Sequence, residues 1–235
     1  MKRLGVVVPM QWELRPLAKR VPLERAEVGD RVVHSGRVGD IEIKATLTKI
    51  GTDLARSATE FVLDELDVDH VALIGIAGGL GPNVQIGDLL VPEVVIDYDS
   101  KQQTHPTPIG AGTASGALYT SGILIVDQSI LRRLADDGAL AIDMETAAVG
   151  AVCEERGVPW SAYRGISDHI RDSLIDADLS RLMTPDGGAK VGPLIRYLAP
   201  KPWRVRTLMK LNKDMNVAAN VAADALVSGL RALQS

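Results

Sequence analysis

The sequence predicts an α/β fold, and three observations carry the prediction. Short apolar runs at Leu4–Val8, His70–Ile76 and Trp160–Ile166 have the length and composition of buried strands. Other segments repeat apolar residues at helical spacing: Leu54, Ala58, Phe61, Val62 and Leu66 in one, Met144, Ala147, Ala148, Ala151 and Val152 in another. Glycine, proline and capping residues mark the changes between the two kinds. A chain of 235 residues that is 46% hydrophobic and 24% charged can bury a sizeable core.

In chain order, the strand at Leu4–Val8 ends in Pro9-Met10, and Trp12 to Arg20 reads as a helix that tolerates Pro16 only near its start. Glu13 therefore stands just past a strand's carboxyl end. It is either a first-turn carboxylate favoured by the helix dipole or a site residue. Arg31 to Lys49 reads as a hairpin turning at Val38-Gly39-Asp40, with Ile41, Ile43, Ala45 and Leu47 on its apolar face. The loop Ile50-Gly51-Thr52-Asp53 supplies an N-cap for the next helix. After the strand at His70–Ile76 comes Ala77-Gly78-Gly79-Leu80-Gly81-Pro82, then a strand over Asp88–Ile96. That loop lacks the spacing and the following helix of a dinucleotide fingerprint, but its bareness lets backbone groups approach a flat ligand. Asp99 to Gly116 is a long loop, Leu118 to Val126 a strand, and Asp127 caps a helix through Leu134.

The stretch Ala141–Asp168 organises the chain. Its helix starts near Met144, stops at Gly157 and is barred from continuing by Pro159. A strand from Trp160 to Ile166 follows, with Ser167 and Asp168 just beyond it. Ligands of open α/β sheets bind beyond the carboxyl ends of strands. Glu145 and Asp168 are thus expected to face one pocket. After Asp168 the pattern loosens. Asp172, Asp176 and Asp178 lack the glycine and closing glutamate of a calcium loop, and Pro185–Gly188 forms a turn. Lys201 to Arg206, with Lys210 and Lys213, is a basic segment that either begins a solvated helix or meets an anionic surface. Val217 to Leu233 is an amphipathic helix.

The bulk properties exclude several classes. A formal charge of -4 gives no general attraction to nucleic acid. No apolar stretch is long enough to span a membrane, and the N-terminal run is too short for a signal peptide, which points to the cytoplasm. The lone Cys153 lies beside an apolar helix stripe and reads as a packed thiol. His34, His70, His105 and His169 share no metal-type spacing, so no metal site is expected. With no internal repeat and no linker, residues 1–235 read as one domain.

Taken together, the motifs VVPMQWEL (Val7–Leu14), TKIGTDLA (Thr48–Ala55), GIAGGL (Gly75–Leu80), GDLLVP (Gly87–Pro92), IDMETAAV (Ile142–Val149) and RGISD (Arg164–Asp168) resemble the nucleoside phosphorylase and nucleosidase superfamily. Within it they look most like the 5'-methylthioadenosine/S-adenosylhomocysteine nucleosidases. The resemblance implies a three-layer α/β/α sandwich around a mixed, partly barrel-like sheet. It also implies a homodimer with no cofactor, acting on a small purine nucleoside in nucleoside metabolism and methionine salvage. The reaction implied is cleavage of the N-glycosidic bond through an oxocarbenium-like ribosyl state, with release of adenine.

In that resemblance Asp168 donates a proton to purine N7, Glu145 with Met144 holds the ribose hydroxyls, and Glu13 activates the attacking water. Ile50, Ile76, Ala77, Gly78 and Ser167 fall along the substrate, and Arg164 supports the aspartate loop. A carboxyl that donates near neutrality needs burial or a neighbouring charge to hold its proton. A phosphate nucleophile needs cationic and hydroxyl partners. Here Leu73 and Ile76 occupy the places where many phosphorylases carry arginine and serine, and Glu13 would repel phosphate. Water is therefore the expected nucleophile, with phosphorolysis and non-catalytic nucleoside binding as the competing readings. The chain departs from the nucleosidases in four places. Ile76 stands for the usual serine, no aromatic occurs in Ser121-Gly122-Ile123-Leu124, the stretch from Gly122 to Ala141 is shorter than usual, and the segment from His169 to Leu211 weakly resembles relatives that cleave adenosine from a hopanoid lipid. A bulky or lipidic 5'-substituent is an alternative to methylthioadenosine.

Overall fold

Alternation along the strands decides the layering. In β1 (Arg3–Val8), Leu4, Val6 and Val8 point to one face of the sheet and Val7 to the other. In β5 (His70–Gly79), Ala72 and Ile74 oppose Val71 and Leu73 in the same way. Both faces are apolar, so both must be covered by helices. The computed structural model describes residues 1–110, 115–169 and 203–234.

The other elements are α1 (Gln11–Arg20), β2 (Glu24–Val28), β3 (Arg31–Val38), β4 (Ile41–Leu47), α2 (Thr52–Glu65), β6 (Leu89–Leu90), β7 (Val94–Asp97) and β8 (Gln103–Thr104). They continue with β9 (Ala117–Thr120), α3 (Gln128–Asp136), β10 (Ala139–Asp143), α4 (Thr146–Glu155), β11 (Trp160–His169) and α5 (Trp203–Ala232). Among the described residues the strands form one mixed sheet of eleven, ordered β2-β3-β4-β1-β5-β10-β9-β7-β8, with β11 joined to β5 and β6. On one face, Leu14 and Leu17 of α1 and Ala222, Leu226 and Leu230 of α5 pack on the sheet. On the other, Ala55 and Val62 of α2 meet Val149 and Cys153 of α4. Each such buried leucine or valine contributes about 1.5–3 kcal/mol. The result is the three-layer α/β/α arrangement.

Strand pairing brings four chain segments to one place. β11 runs parallel to β5 from Trp160↔Val71 to His169↔Gly79. On the opposite edge of β5, β1 pairs parallel near its start and β10 antiparallel at Ile142↔Gly78. The ends of β1, β10 and β11 thus converge on residues 76–79 of β5, the kind of crevice in which α/β sheets bind ligands.

Several sequence expectations are corrected in detail. The glycine run at 77–79 is the last part of β5 and not a loop. Asp88–Ile96 is divided into β6 and β7, and Pro92 stands between them. Leu118–Val126 keeps strand form only to Thr120. Ser167 and Asp168 belong to β11 itself. Gly51 with φ 110°, not Asp53, is the N-cap of α2, and Glu145 is the N-cap of α4 and lies outside its first turn. The C-terminal helix begins at Trp203. β2 and β10 have no counterpart in the sequence reading, and β8 interrupts the stretch Asp99–Gly116, expected as one long loop. The Asp172/Asp176/Asp178 set, the Pro185–Gly188 turn and Lys201-Pro202 lie outside the described residues. Cys153 is fully buried, and desolvation pushes its thiol up to about 12, which fits a packed core thiol. Among the described residues no helix is long and apolar enough to cross a membrane.

Candidate active site

A cavity of about 210 Å³ opens where these strand ends meet. Pro9 and Met10 enter it from the β1–α1 connection, Glu13 from the first turn of α1, Ile76, Ala77 and Gly78 from β5, and Met144 and Glu145 from the β10–α4 junction. Ser167 and Asp168 come from β11, and Ile50 from the loop before α2. Nine of the ten residues singled out from the sequence therefore line one cavity. The tenth, Arg164, lies behind the wall, wholly buried.

Adjacent strand residues ordinarily face opposite sides. Ser167 and Asp168 nevertheless share the pocket wall, because the register of β11 against β5 shifts between Ile166 and Asp168. Such a bulge re-aims side chains. The Ser167 hydroxyl donates to Asp168 Oδ1 at 2.5 Å. Across from it Gly78 is bare, and a methyl there would lie 3.6 Å from Asp168 Oδ2.

Beneath the cavity floor, Arg164 gathers the acidic groups. Its Nε donates to Asp143 Oδ2 at 2.7 Å, and Nη2 lies 2.5 Å from the same oxygen. Nη2 also donates to Glu145 Oε2 at 2.9 Å. Glu145 Oε1 accepts from the Gly51 amide at 3.2 Å, and Glu13 Oε1 accepts from the Ile76 amide at 2.9 Å. Glu13 Oε2 and Arg164 Nη1 are buried without hydrogen-bond partners. Burial raises Glu13 to about 8, helped by the charge of Glu145 and opposed by Arg164 and the Ile76 amide. Burial likewise lifts Glu145 to about 7, with Asp143 adding to the rise and Arg164 opposing it. Burial works against the Arg164 charge, but Asp143, Glu145 and Glu13 together raise its pKa. Two carboxyls that change charge near neutrality within one cleft suit proton transfer.

The sequence reading missed the rest of the wall. Leu124, Ile125 and Val126 from the segment leading into α3, and Gln128 and Leu131 from α3 itself, line the cavity with Ile142, His169, Leu211 and Met215. Lysine and arginine are absent from this lining among the described residues. Asp143 was also missed, though it stands two positions before Glu145 in a motif already noted.

A family model described as the phosphorylase superfamily matches residues 3–120 and 112–184, most of the chain. The chain belongs to the phosphorylase superfamily. This superfamily member is 26% identical over 202 residues to an aminodeoxyfutalosine nucleosidase of Helicobacter pylori, covering 72% of this chain and 86% of that one. It is 29% identical over 177 residues to a 5'-methylthioadenosine/S-adenosylhomocysteine nucleosidase of Thermotoga maritima, covering 66% and 80%. Its fold matches the futalosine hydrolase of Helicobacter pylori with a TM-score of 0.74 at 20% identity, over 98% of this chain and 97% of that chain. The nucleosidase of Neisseria meningitidis in complex with methylthio-immucillin-A gives 0.75 at 17% identity, over 98% and 99%.

Proposed function

We infer that the protein is a purine nucleosidase that hydrolyses the N-glycosidic bond of a 5'-modified adenosine and releases adenine. The observation that carries this reading is the joint exposure of Glu13, Glu145 and Asp168 to one cavity whose described lining has no cationic side chain. Among the described residues no lysine or arginine lines the cavity, and Arg164 behind its wall is engaged by Asp143 and Glu145, so phosphate beside Glu13 and Glu145 would be a poorly paired buried anion, which costs several kcal/mol. Water meets no such penalty, and Glu13 Oε2 is a buried acceptor with no partner.

In the proposed reaction Asp168 protonates the purine at N7 as the bond to the ribose breaks, and the Ser167 hydroxyl steadies it. Glu145, with Met144, accepts hydrogen bonds from the 2'- and 3'-hydroxyls, and its charge favours the developing oxocarbenium ion. Glu13 takes a proton from the attacking water, a role suited to a carboxyl held near the working pH. Ile50, Ile76, Ala77 and Gly78 supply the apolar and backbone walls, and the base lies against aliphatic side chains. This reading treats residues 1–235 as one domain of a cytoplasmic homodimer.

A wide 5'-substituent has its own support. Ile123, Leu124 and Val126 are exposed by 73%, 40% and 40%, and Leu124 and Val126 share the cavity with Leu211 and Met215 of α5. An apolar rim of this kind suits an apolar group on the ribose 5'-carbon. The deciding experiment measures purine release from methylthioadenosine, S-adenosylhomocysteine, aminodeoxyfutalosine, adenosine and inosine, with and without phosphate. Release without phosphate, greatest for a 5'-modified adenosine, is expected. Strict dependence on phosphate would convert the reading to a phosphorylase. Binding without release would make the protein a nucleoside carrier.

A further inference from the structure

We propose that Asp143 is the positioning residue of this site, setting the aim of Arg164 and the placement of Glu145 together. The proposal rests on the nucleosidase reading above, because it concerns the groups assigned there to ribose and water.

Asp143 ends β10, and its side chain is 1% exposed. Its two oxygens receive an unusually complete set of donors. Oδ1 accepts from the Thr120 hydroxyl at 2.6 Å and from the amides of Glu145 and Thr146, each at 3.3 Å. Oδ2 accepts from Arg164 Nε, from Arg164 Nη2 and from the Thr146 hydroxyl. Thr120 in turn accepts from the Ala147 amide at 3.0 Å. One carboxylate thus joins β9, β10, the first turn of α4 and β11.

This arrangement has two mechanical consequences. The amide bonds fix the backbone at Glu145, where a carboxylate also favours the helix N-terminus. They hold the Met144-Glu145 pair at the cavity wall. Meanwhile the Nε–Nη2 edge of Arg164 is held on Asp143, so its planar guanidinium has one orientation left. In that orientation Nη2 reaches Glu145, and Nη1 lies toward Gly75 and Glu13. A packed aliphatic residue at position 143 would fill space without directing either group.

There is an electrostatic consequence as well. The ionisable groups around Glu145 are Glu13 from α1, Asp143 from β10 and Arg164 from β11, with Asp168 and His169 of β11 on the same cavity wall. Burial pushes Glu145 upward most, Arg164 pulls it down, and the charge of Asp143 adds to the rise. Removing the charge of Asp143 without changing its shape therefore lowers the pH at which Glu145 ionises.

The test uses Asp143→Asn, with Thr120→Val as a variant that cuts a bond to Asp143 and leaves its charge. The titration of Glu145 is followed by carbon-13 NMR of its carboxyl in ligand-free protein, beside the pH profile of kcat/KM for nucleoside cleavage. In Asp143→Asn we expect the Glu145 titration and the Glu145 step of the acidic limb, which lies below the step set by Glu13, to move together to lower pH, with kcat/KM reduced at least tenfold at the optimum. Thr120→Val should leave both midpoints in place. A folded Asp143→Asn protein in which Glu145 titrates as in the parent, or in which kcat/KM is unchanged, overturns the proposal. If the parent protein cleaves no nucleoside, the function reading fails, and the NMR titration still decides the role of Asp143.

Discussion

Arg164 crosses Gly75 at a distance that leaves no room for a side chain: a methyl built on Gly75 would stand 2.2 Å from Arg164 Nη1 and 2.9 Å from Glu13 Oε1. The glycine lets the guanidinium pass between β5 and the carboxyl assigned to the water. Gly75→Ala should therefore displace Arg164 or Glu13, both of which are buried and tightly held. Overpacking of this kind costs about 1–3 kcal/mol of stability. Because displacing the groups matters more than the lost stability, kcat should fall about a hundredfold or more in protein that is still folded. Thermal unfolding measured beside turnover would separate the two effects, and an active Gly75→Ala enzyme would refute this view of the contact.

Asp168 is the group assigned to protonate the leaving base. Asp168→Asn keeps the shape and can still contact Ser167, but it has no carboxyl proton to give. General acid catalysis is worth about 10²–10⁴ in rate. We expect kcat to fall within that range while nucleoside binding, read by calorimetry, changes little. If the variant keeps most of its kcat, the proton comes from elsewhere.

The sequence displayed the site better than the sheet around it. Glu13, Glu145 and Asp168 sit at strand ends, a position visible from where apolar runs stop, and the motif order tied them to one chemistry. β10 escaped notice because Ala139–Asp143 merges with the apolar residues before α4, leaving no turn signal between them. β2 reads Glu-Arg-Ala-Glu-Val and is almost wholly exposed, so it has no apolar alternation to detect. The bulge at Ser167 depends on pairing with Ala77 and Gly78, ninety residues away in the chain. Asp143 could not be distinguished from an ordinary cap, since its partners Thr120 and Arg164 are brought to it only by folding.

Helix α5 is held against β11 through another bare position. A methyl on Gly165 would stand 2.0 Å from the carbonyl oxygen of Ala218 and 2.7 Å from its α-carbon, both backbone atoms that cannot rotate away. Gly165→Ala must push α5 off the sheet, and with it Ala219, Ala222 and Leu226, which are all buried. The expected cost is at the upper end of the overpacking range, about 3 kcal/mol. Since Leu211 and Met215 of the same helix line the cavity, KM should rise as well. Urea unfolding and steady-state kinetics would register both changes, and unaltered stability would show that α5 is less firmly seated than its contacts indicate.

The buried carboxyls also set how stability responds to pH. Glu13 and Glu145 are raised from 4.5 to about 8 and about 7, chiefly by burial, so the folded protein retains protons that the unfolded chain gives up. Stability from such groups is fully present below the unfolded value. It is lost as pH rises through the folded one, at no more than about 1.4 kcal/mol per pH unit for each group. Asp69 and Asp224 behave oppositely, because hydrogen bonds from Arg3 and Arg20 lower them, and their contribution disappears only in acid. Urea midpoints should accordingly decline from about pH 5 to pH 8. Glu13→Gln removes the larger of the two rises while keeping an acceptor for the Ile76 amide, so its stability should decline less over that interval. Parallel pH curves for the parent and Glu13→Gln proteins would mean that Glu13 keeps its ordinary carboxylate charge inside the fold, and that the groups facing it, Arg164 above all, outweigh its burial.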